Sequence, residues 1–366
     1  MTPAAKWATA FNVLCVRLDN MGDVLMTTPA IRALKISTPG RRITLITSKA
    51  GAVLAPFLPD VDETMAYDAA WSKNNASGNR NDYDMIETLR RRCFDAVVIF
   101  TVYSQSALPA ALMCHLAGIR LALAHSRENP YRLLSHWVKE TEPAQTIRHE
   151  VQRQLDLVAA IGAACSDIGL SFATRNIDRQ SLKAILQAHK VMQTEGWIVV
   201  HCGASAASRR YSPQRYARVI SSLHASGRQV LLTGSVQEKN IIDGIIKQCT
   251  ARNHVLNLTG KLNLGELACL IEDASLLISN NTGPVHIAAA VQTPVVDLYA
   301  LTNMQHTPWR VPHRLLYHDV SCKNCYSSVC QNGNACLEGV EPQTVVAAAL
   351  ELLDAGMGVA RSFKTA

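Results

Sequence analysis

Short apolar runs, many of them rich in Val, Ile and Leu, alternate along the chain with segments that carry the apolar spacing of helices. The clearest runs are NVLCVRL, ITLIT, DAVVIF, WIVVHC, QVLLTG, SLLISN and PVVDLYA. Nearly every position in them is apolar, whereas a strand with one wet face alternates apolar and polar residues. The pattern therefore predicts an α/β protein whose parallel sheets are doubly wound, with helices on both faces.

The size of the chain favours two domains. It has 366 residues and a hydrophobic content of 48%, more than one domain of usual size needs. A polar stretch and a charged helical segment precede the run at Trp197, so we expect the break between residues 166 and 196. The expected parts are an N-terminal domain over residues 1–175, a C-terminal domain over residues 190–340, and a C-terminal helix or tail over residues 341–366.

The charge balance excludes few functions. The 36 Lys and Arg residues against 29 Asp and Glu give a formal charge of +7, which suits an anionic substrate, a membrane surface or an ordinary solubilising surface. The sequence contains no run of five or more like charges, the feature that would indicate a nucleic-acid partner. The apolar stretch over residues 96–119 is broken by polar residues and Pro109, so it predicts a strand and a helix rather than a membrane span. No signal-peptide cleavage site follows the first residues, and we expect a cytoplasmic protein.

Two common nucleotide-binding signatures are missing from the sequence. No G-x-G-x-x-G follows a strand and no G-x-x-x-x-G-K-[ST] occurs, which removes the direct signals for a dinucleotide oxidoreductase and a P-loop phosphotransferase. A polar loop over residues 72–84 is predicted to be either a connector or a lid that grips a substrate.

The first candidate site follows the strand that ends at Leu18. A turn runs through Gly22, and a helical pattern begins near Asp23. The exposed amides and the dipole of a helix start favour an ionised carboxylate, which suits a general base. A plain helix cap is the alternative interpretation of Asp23.

The second candidate is the turn after the run SLLISN. The polar turn, residues 279–282, leads into a helix that opens with Gly283 and Pro284. Glycine lets a ligand approach the backbone amides of the helix start, so this turn is a candidate cradle for a diphosphate. His286 faces the same site or the core.

The third candidate is a loop of small residues after the run WIVVHC. It carries Arg209 and Arg210, whose guanidinium groups suit phosphate but are equally ordinary on a surface. After the next run, QVLLTG, the carboxylate of Glu238 is placed to accept hydrogen bonds from a ribose, or it is a solvated helix-start residue.

The fourth feature is a cysteine cluster with the spacing C-x2-C-x4-C-x5-C. It consists of Cys322, Cys325, Cys330 and Cys336. Four thiols permit a tetrahedral Zn or Fe site of structural type, but the spacing lacks two paired C-x2-C knuckles. Disulfide or redox chemistry and reduced structural thiols are the alternatives.

These segments in this order resemble the ADP-heptose:lipopolysaccharide heptosyltransferase family, glycosyltransferase family 9, over nearly the whole chain. The resemblance rests on NMGDVLMTTPAIRAL, an H-x-G loop with a basic residue before an aromatic one, TGS-x-x-E, NLTGKLNLGEL, [DN]-[ST]-G-P-x-H-[IL]-A-A-A and the late cysteine cluster. It implies a GT-B architecture, in which two Rossmann-like domains face a cleft, and inverting transfer that needs no metal.

The resemblance also implies roles for individual residues. Asp23 falls on the family's general base, and Glu238 on the acid that contacts the ribose. The diphosphate would be held by Arg209, where the family usually has Lys, and by the hydroxyl of Ser205. The remaining donor-site positions are Asn281, Thr282, Gly283 and His286.

Three positions depart from the family pattern. Asn281 replaces the usual Asp, which weakens a charged contact with a sugar hydroxyl to an amide contact. Arg209 replaces Lys and keeps the charge, and Tyr211 replaces Trp.

The function that the resemblance implies is transfer of a heptose from ADP-L-glycero-D-manno-heptose to a cell-surface glycan such as the lipopolysaccharide core. No cofactor is required for that reaction. The implied partners are an ADP-sugar donor and an anionic glycan or glycolipid acceptor, and peripheral contact with the cytoplasmic face of the inner membrane suits them. The alternatives are a GT-B enzyme with another nucleotide-sugar donor or acceptor, an epimerase, and a non-catalytic nucleotide-sugar-binding protein.

Overall fold

The computed structural model describes residues 2–72, 80–189, 191, 196–250 and 255–363. The chain divides into two compact units, Met1–Ala173 and Thr174–Ala366, which we call unit 1 and unit 2. Each has a parallel sheet with helices in its connections. The predicted α/β class with doubly wound parallel sheets is confirmed in both units.

Unit 1 contains a parallel sheet of six strands in the order β3-β2-β1-β4-β5-β6 among its described residues. The strands are β1 (Asn12–Arg17), β2 (Arg42–Thr47), β3 (Glu63–Ala66), β4 (Ala96–Ile99), β5 (Leu121–Ser126) and β6 (His136–Lys139). The helices are α1 (Pro3–Trp7), α2 (Met21–Ile36), α3 (Lys49–Ala52), α4 (Arg80–Arg92), α5 (Leu108–Leu116) and α6 (Glu150–Ala159), with a 3₁₀ turn at Ala55–Phe57.

Unit 2 repeats this arrangement. Its described residues form a parallel sheet of six strands in the order β12-β11-β10-β7-β8-β9. The strands are β7 (Trp197–His201), β8 (Gln229–Thr233), β9 (Val255–Asn257), β10 (Leu276–Asn280), β11 (Val295–Leu298) and β12 (His313–Leu316). The helices are α7 (Asn176–Ala188), α8 (Pro213–Ala225), α9 (Lys239–Gln248), α10 (Leu264–Glu272), α11 (Gly283–Ala290), α12 (Ala335–Glu338) and α13 (Pro342–Phe363), with 3₁₀ turns at Ala207–Arg209 and Val236–Glu238.

The strand order predicts where a ligand binds in each unit. The chain reverses its direction of winding between β1 and β4 in unit 1, and between β7 and β10 in unit 2. In open α/β sheets, ligands bind outside the carboxyl ends of the strands at such a switch point. All three predicted strand-to-helix turns follow β1, β7 or β10 and therefore lie at these points.

Each unit has its own buried core. In unit 1, residues of β1 and β4 pack with α5, as Leu14, Val97 and Cys114 illustrate. In unit 2, residues of β7 and β10 pack with α8 and α13, so the C-terminal helix belongs to the core through Val345 and Leu352.

Two further predictions concern local segments. The apolar stretch over residues 96–119 forms β4 and α5, as expected, and no helix among the described residues has the length and apolarity to cross a membrane. The predicted polar loop over residues 72–84 is wrong at its end, because α4 already begins at Arg80. Residues 73–79 of that loop lie outside the described residues.

Candidate active site

Asp23 lies in the first turn of α2, directly after the carboxyl end of β1. The backbone N–H of Asn20 donates to Asp23 Oδ2 at 3.2 Å, which forms one arm of a capping box. The Asp23 side chain keeps 15% of its surface exposed. The residue is thus a helix cap, as one interpretation has it, and its partial exposure leaves it able to meet a substrate hydroxyl.

A buried arginine, Arg17, pairs with the Asp23 carboxylate. Arg17 is the last residue of β1, and its side chain is fully buried. Its guanidinium lies 3.5 Å from Asp23 (Nη2 to Oδ1) and 2.9 Å from Asp19 (Nε to Oδ2). It also donates from Nη1 to Glu150 Oε1 at 2.8 Å. Burial opposes the charge of Arg17, but Asp19, Glu150 and Asp23 outweigh it and raise its pKa.

A cavity of about 830 Å³ opens beside this cluster, at the switch point of unit 1. The ends of β1 and β4 form its apolar wall, which includes Val16 and Ile99. Polar groups surround the wall, and among them Asp19 and Asn20 connect the cavity to Arg17 and Asp23. The volume is within the usual range for small-molecule sites.

In unit 2, the turn after β10 leads into α11 as the sequence predicts. Asn281 is 7% exposed and its Nδ2 donates to the backbone oxygen of His306 at 3.3 Å. Thr282 is the N-cap and Gly283 the first residue of the helix. Pro284 has no N–H and the Val285 N–H donates to the Thr282 oxygen at 3.0 Å, so among the first three helix positions the Gly283 N–H is the one left for an anion. His286 is buried on α11, with 4% of its surface exposed.

The loop between β7 and α8, residues 202–212, carries the predicted phosphate ligands. Ser205 is exposed, and Arg209 is half-buried at the end of a 3₁₀ turn. The guanidinium of Arg209 makes no hydrogen bond or ion pair within the described residues, whereas Arg210 donates from Nε to the backbone oxygen of Ala204 at 2.8 Å. Of the two arginines, Arg209 is therefore the one available to a ligand.

Glu238 meets this same loop. Its Oε2 accepts hydrogen bonds from the N–H and Oγ of Ser235 at 2.8 and 2.9 Å. A Cβ at position 203 would collide with the Glu238 carboxylate, so Gly203 lets this carboxylate lie against the β7–α8 loop. The structure thus brings Glu238 together with the β7–α8 loop.

Two residues that the sequence interpretation missed connect the parts of this site. The fully buried Asn280 donates from Nδ2 to the backbone oxygens of Cys202 and Gly203 and accepts from the N–H of Tyr211 at 3.0 Å. Tyr299, also buried, donates from its hydroxyl to the backbone oxygen of Asn303 and lies near Asn281 and Arg209. Burial and then Asp297 raise the pKa of Tyr299. Asn280 lies within the predicted polar turn, residues 279–282, and in the structure it is the last residue of β10.

The cysteine cluster packs against the β7–α8 loop. Ser208 donates to the backbone oxygens of Ser328 and Ser327 at 3.1 and 2.6 Å, and Asn334 Nδ2 donates to the oxygen of Ala207 at 3.2 Å. The segment that makes these contacts, residues 321–334, is called here the Cys-rich segment. It supports the loop that presents Arg209.

The four thiols of the cluster form no disulfide in this structure. All four cysteines are unpaired with other cysteines, and the part of the chain that the structure describes contains no group of His, Cys, Asp and Glu arranged to hold a metal ion. Burial, together with the nearby Cys330 and Cys322, raises the pKa of the Cys336 thiol, and backbone hydrogen bonds oppose this rise.

Comparison with known proteins gives the family. The model of glycosyltransferase family 9 (heptosyltransferase) matches residues 83–336, more than half of the chain. Lipopolysaccharide heptosyltransferase 3 of Escherichia coli strain K12 is 26% identical over 307 residues, which cover 79% of this chain and 82% of that protein.

Solved structures agree in fold. A glycosyltransferase of family 9 from Veillonella parvula superimposes with a TM-score of 0.80 at 19% identity, over 94% of this chain and 98% of that one. The ADP-heptose lipopolysaccharide heptosyltransferase II of E. coli gives a TM-score of 0.74 at 19% identity, over 94% and 99% of the two chains. The chain therefore belongs to glycosyltransferase family 9, the heptosyltransferase family, and is a glycosyltransferase with the GT-B type of fold.

Proposed function

We propose that this glycosyltransferase moves a heptose from an ADP-heptose donor to an acceptor of the lipopolysaccharide core, with inversion and without a catalytic metal. The names of its relatives support this donor and this acceptor class. We assign the donor to unit 2 and the acceptor to unit 1, in line with the expected domains over residues 1–175 and 190–340. We also propose a cytoplasmic location with peripheral contact at the inner membrane.

The reaction is a single displacement at the anomeric carbon. The acceptor oxygen forms a bond to this carbon while the bond to the diphosphate oxygen breaks, and its electron pair leaves with ADP. Asp23 takes the proton of the acceptor hydroxyl. The observation that carries this role is a partly exposed carboxylate, held by Arg17 and by the Asn20 amide, beside the cavity of about 830 Å³ in unit 1.

Donor binding uses the loops at the switch point of unit 2. Arg209, together with the Gly283 N–H and the dipole at the start of α11, supplies positive charge where negative charge develops on the departing ADP, so no metal is needed for that purpose. Ser205 adds a hydroxyl, and Glu238 accepts from the ribose. The turn from Asn281 to Gly283 contacts the sugar and the diphosphate, with His286 supporting α11 from the core.

The role of Asp23 is tested by Asp23→Asn. We expect turnover of ADP-heptose to fall at least about a hundredfold, the usual scale for loss of a general base, while ADP binding is unchanged. Asp84→Asn is the matched control, because Asp84 is an exposed aspartate on α4 of the same unit. Near-normal turnover of the Asp23 variant would remove this residue from the mechanism.

The donor and the metal requirement are tested together. A mass-spectrometric screen with ADP-heptose, ADP-glucose, UDP-GlcNAc and GDP-mannose, each with a core oligosaccharide acceptor, should give transfer from ADP-heptose. Turnover should be insensitive to EDTA. A strict need for added Mg²⁺ or Mn²⁺ would contradict the mechanism, because it would indicate a metal-clamped diphosphate.

A further inference from the structure

We propose that the cavity of unit 1 binds an uncharged sugar ring of the acceptor, stacked on Trp71, and excludes phosphate and carboxylate substituents from that position. This inference rests on the proposed assignment of the acceptor to unit 1. It differs from the expectation of an anionic acceptor, because it places any acidic groups of the acceptor outside the cavity.

The first observation is an exposed indole at the cavity. Trp71 lines the cavity and is 40% exposed, although its ring is held edge-on against Tyr67 with centroids 6.0 Å apart. The indole therefore offers an apolar aromatic face at the cavity. The apolar face of a pyranose ring, formed by its C–H groups, fits such a surface.

The second observation is the kind of polar group in the cavity. Asp19 Oδ1 accepts a hydrogen bond from Gln105 Nε2 at 2.7 Å, and this carboxylate-amide pair lines the cavity. Asp68 and Ser48 line it as well. Carboxylates offer several acceptor sites, and amides and hydroxyls offer both donors and acceptors, which together match the hydroxyl groups of a sugar.

The third observation is the charge around the cavity. Among the described residues that line it, Lys49 is the only Lys or Arg, and its Nζ lies 2.6 Å from Asp68 Oδ2. Next to the cavity-lining Asp19, the buried Arg17 also pairs with Asp23 and Glu150, and Glu150 lies 4.0 Å from Arg153 as well.

The consequence for an anionic ligand follows from this charge. A phosphate is usually held by arginine forks or lysines that are free to pair with it. In this cavity it would meet carboxylates and a lysine that is already paired, so the electrostatic free energy opposes its entry.

The test compares two matched probes on the full-length protein, methyl α-D-mannopyranoside and its 6-phosphate, by saturation-transfer and titration NMR. We expect the neutral glycoside to bind at least about tenfold more tightly. Trp71→Ala should abolish its binding and Trp71→Phe should retain most of it. Trp137→Ala is the control, since Trp137 is similarly exposed, at 42%, but belongs to β6 and does not line the cavity. Equal or tighter binding of the phosphate, or binding that survives Trp71→Ala, would overturn the proposal, as would failure of both probes to bind.

A pair of charge variants tests the electrostatic part. Asp68→Asn removes the partner of Lys49 and should reduce the preference for the neutral probe to less than about threefold, whereas Lys49→Met should preserve or increase it. A preference unchanged by Asp68→Asn would contradict the role of the carboxylates. ADP binding and ADP-heptose turnover are measured on the same samples. If the neutral sugar binds but no turnover of ADP-heptose occurs, only the proposed function is contradicted. If turnover is normal but the neutral sugar does not bind, only this inference is contradicted.

Discussion

Arg17 and Glu150 form an ion pair from which water is fully excluded, both side chains having no exposed surface. Burying two charges costs more than an isolated pair usually returns, so such pairs are weak evidence of stabilisation by themselves. Here the arginine also reaches Asp19 and the proposed base Asp23. The pair therefore helps to fix the carboxylates at the end of β1, and removal of Glu150 leaves Arg17 with Asp19 and Asp23 as its partners.

We expect Glu150→Ala to lower the free energy of unfolding of unit 1 by about 1 to 3 kcal/mol, less than the loss of about 3 to 5 kcal/mol for a buried charge left without a partner, because Arg17 keeps Asp19 and Asp23. Chemical denaturation with unit 1 fluorescence would measure it. The matched control is Glu87→Ala, which removes an exposed partner of Arg90 and should cost less than about 1 kcal/mol. Similar small losses in both variants would mean that water or other groups compensate Arg17.

Asp297 is a second residue at which burial decides the state of a charged group, here the protonation of its carboxyl group. It lies on β11 with both carboxyl oxygens buried and without a hydrogen-bond partner among the described residues, and burial raises its pKa well above the ordinary value. The folded chain therefore keeps the proton at a pH at which the unfolded chain, with a pKa near 4, has lost it. The stability contribution is present at low pH and is lost as the pH rises from about 4 through the folded-state pKa.

We expect Asp297→Asn to flatten this pH dependence. Between pH 5 and pH 7, wild-type unit 2 should lose up to about 1.4 kcal/mol of stability per pH unit from this residue, and the variant should lose none of that part. Urea denaturation across the pH range measures both slopes. Asp319→Asn, which changes an aspartate that is 71% exposed, should keep the wild-type slope. An unchanged slope in Asp297→Asn would show that Asp297 is ionised in the folded chain.

At the scale of elements, the sequence predicted what is local. The runs that predicted strands became β1, β2, β4, β7, β8, β10 and β11, most of them central in their sheets and covered on both faces. The outer strands β3, β6, β9 and β12 are short and partly exposed, so they lack the continuous apolar run on which the prediction depends.

The candidate site also has local parts that the sequence predicts and long-range contacts that it does not predict. The turn at Asp23 and the turn before Gly283 each lie within one strand-turn-helix segment, and their local pattern predicts them. Glu150 contacts Arg17 across 133 positions, and Ser208 contacts Ser327 across 119. No spacing rule reports such contacts, because the topology of the sheet creates them.

The Cys-rich segment acts as a support for the β7–α8 loop. Asn334 has a left-handed backbone, with φ of 54°, and its side chain donates to the oxygens of Ala207 and Arg210 at 3.2 and 3.4 Å. Glycine adopts this backbone without strain, so Asn334→Gly removes the side chain and leaves the turn intact. The variant isolates the effect of the support on the loop that carries Arg209.

We expect Asn334→Gly to weaken ADP binding about threefold to tenfold, the effect of about one net hydrogen bond, with adenosine binding little changed. Isothermal titration calorimetry measures both ligands. Asn324→Gly is the control, because Asn324 has the same backbone sign, φ 60°, within the same segment and bonds instead through its backbone to Leu301. Equal losses for ADP and adenosine would show that the segment supports the whole unit rather than the phosphate ligands.

At the scale of the whole molecule, two units with the same strand order have separate cores. A chain built in this way is expected to unfold in more than one step, since each core can be lost by itself. A ligand stabilises only the part that binds it, by about 2.7 kcal/mol at a concentration one hundred times its dissociation constant. The proposed assignment of the donor to unit 2 and the acceptor to unit 1 can therefore be tested by measuring which thermal unfolding transition each ligand shifts.

We expect ADP to raise the midpoint of one calorimetric transition and to leave the other in place, because the proposed ADP ligands all lie in unit 2. Glu150→Ala assigns the transitions, since it should lower the midpoint of unit 1 and keep the response to ADP. Arg209→Ala should remove most of that response, because it removes the guanidinium that the β7–α8 loop leaves available to phosphate, a contact worth roughly 1.5 to 3 kcal/mol. If ADP raised the transition that Glu150→Ala lowers, the donor would bind unit 1 and the assignment would be reversed. If the whole chain unfolded in one step and shifted as a unit, the two cores would be thermodynamically coupled despite their separate packing.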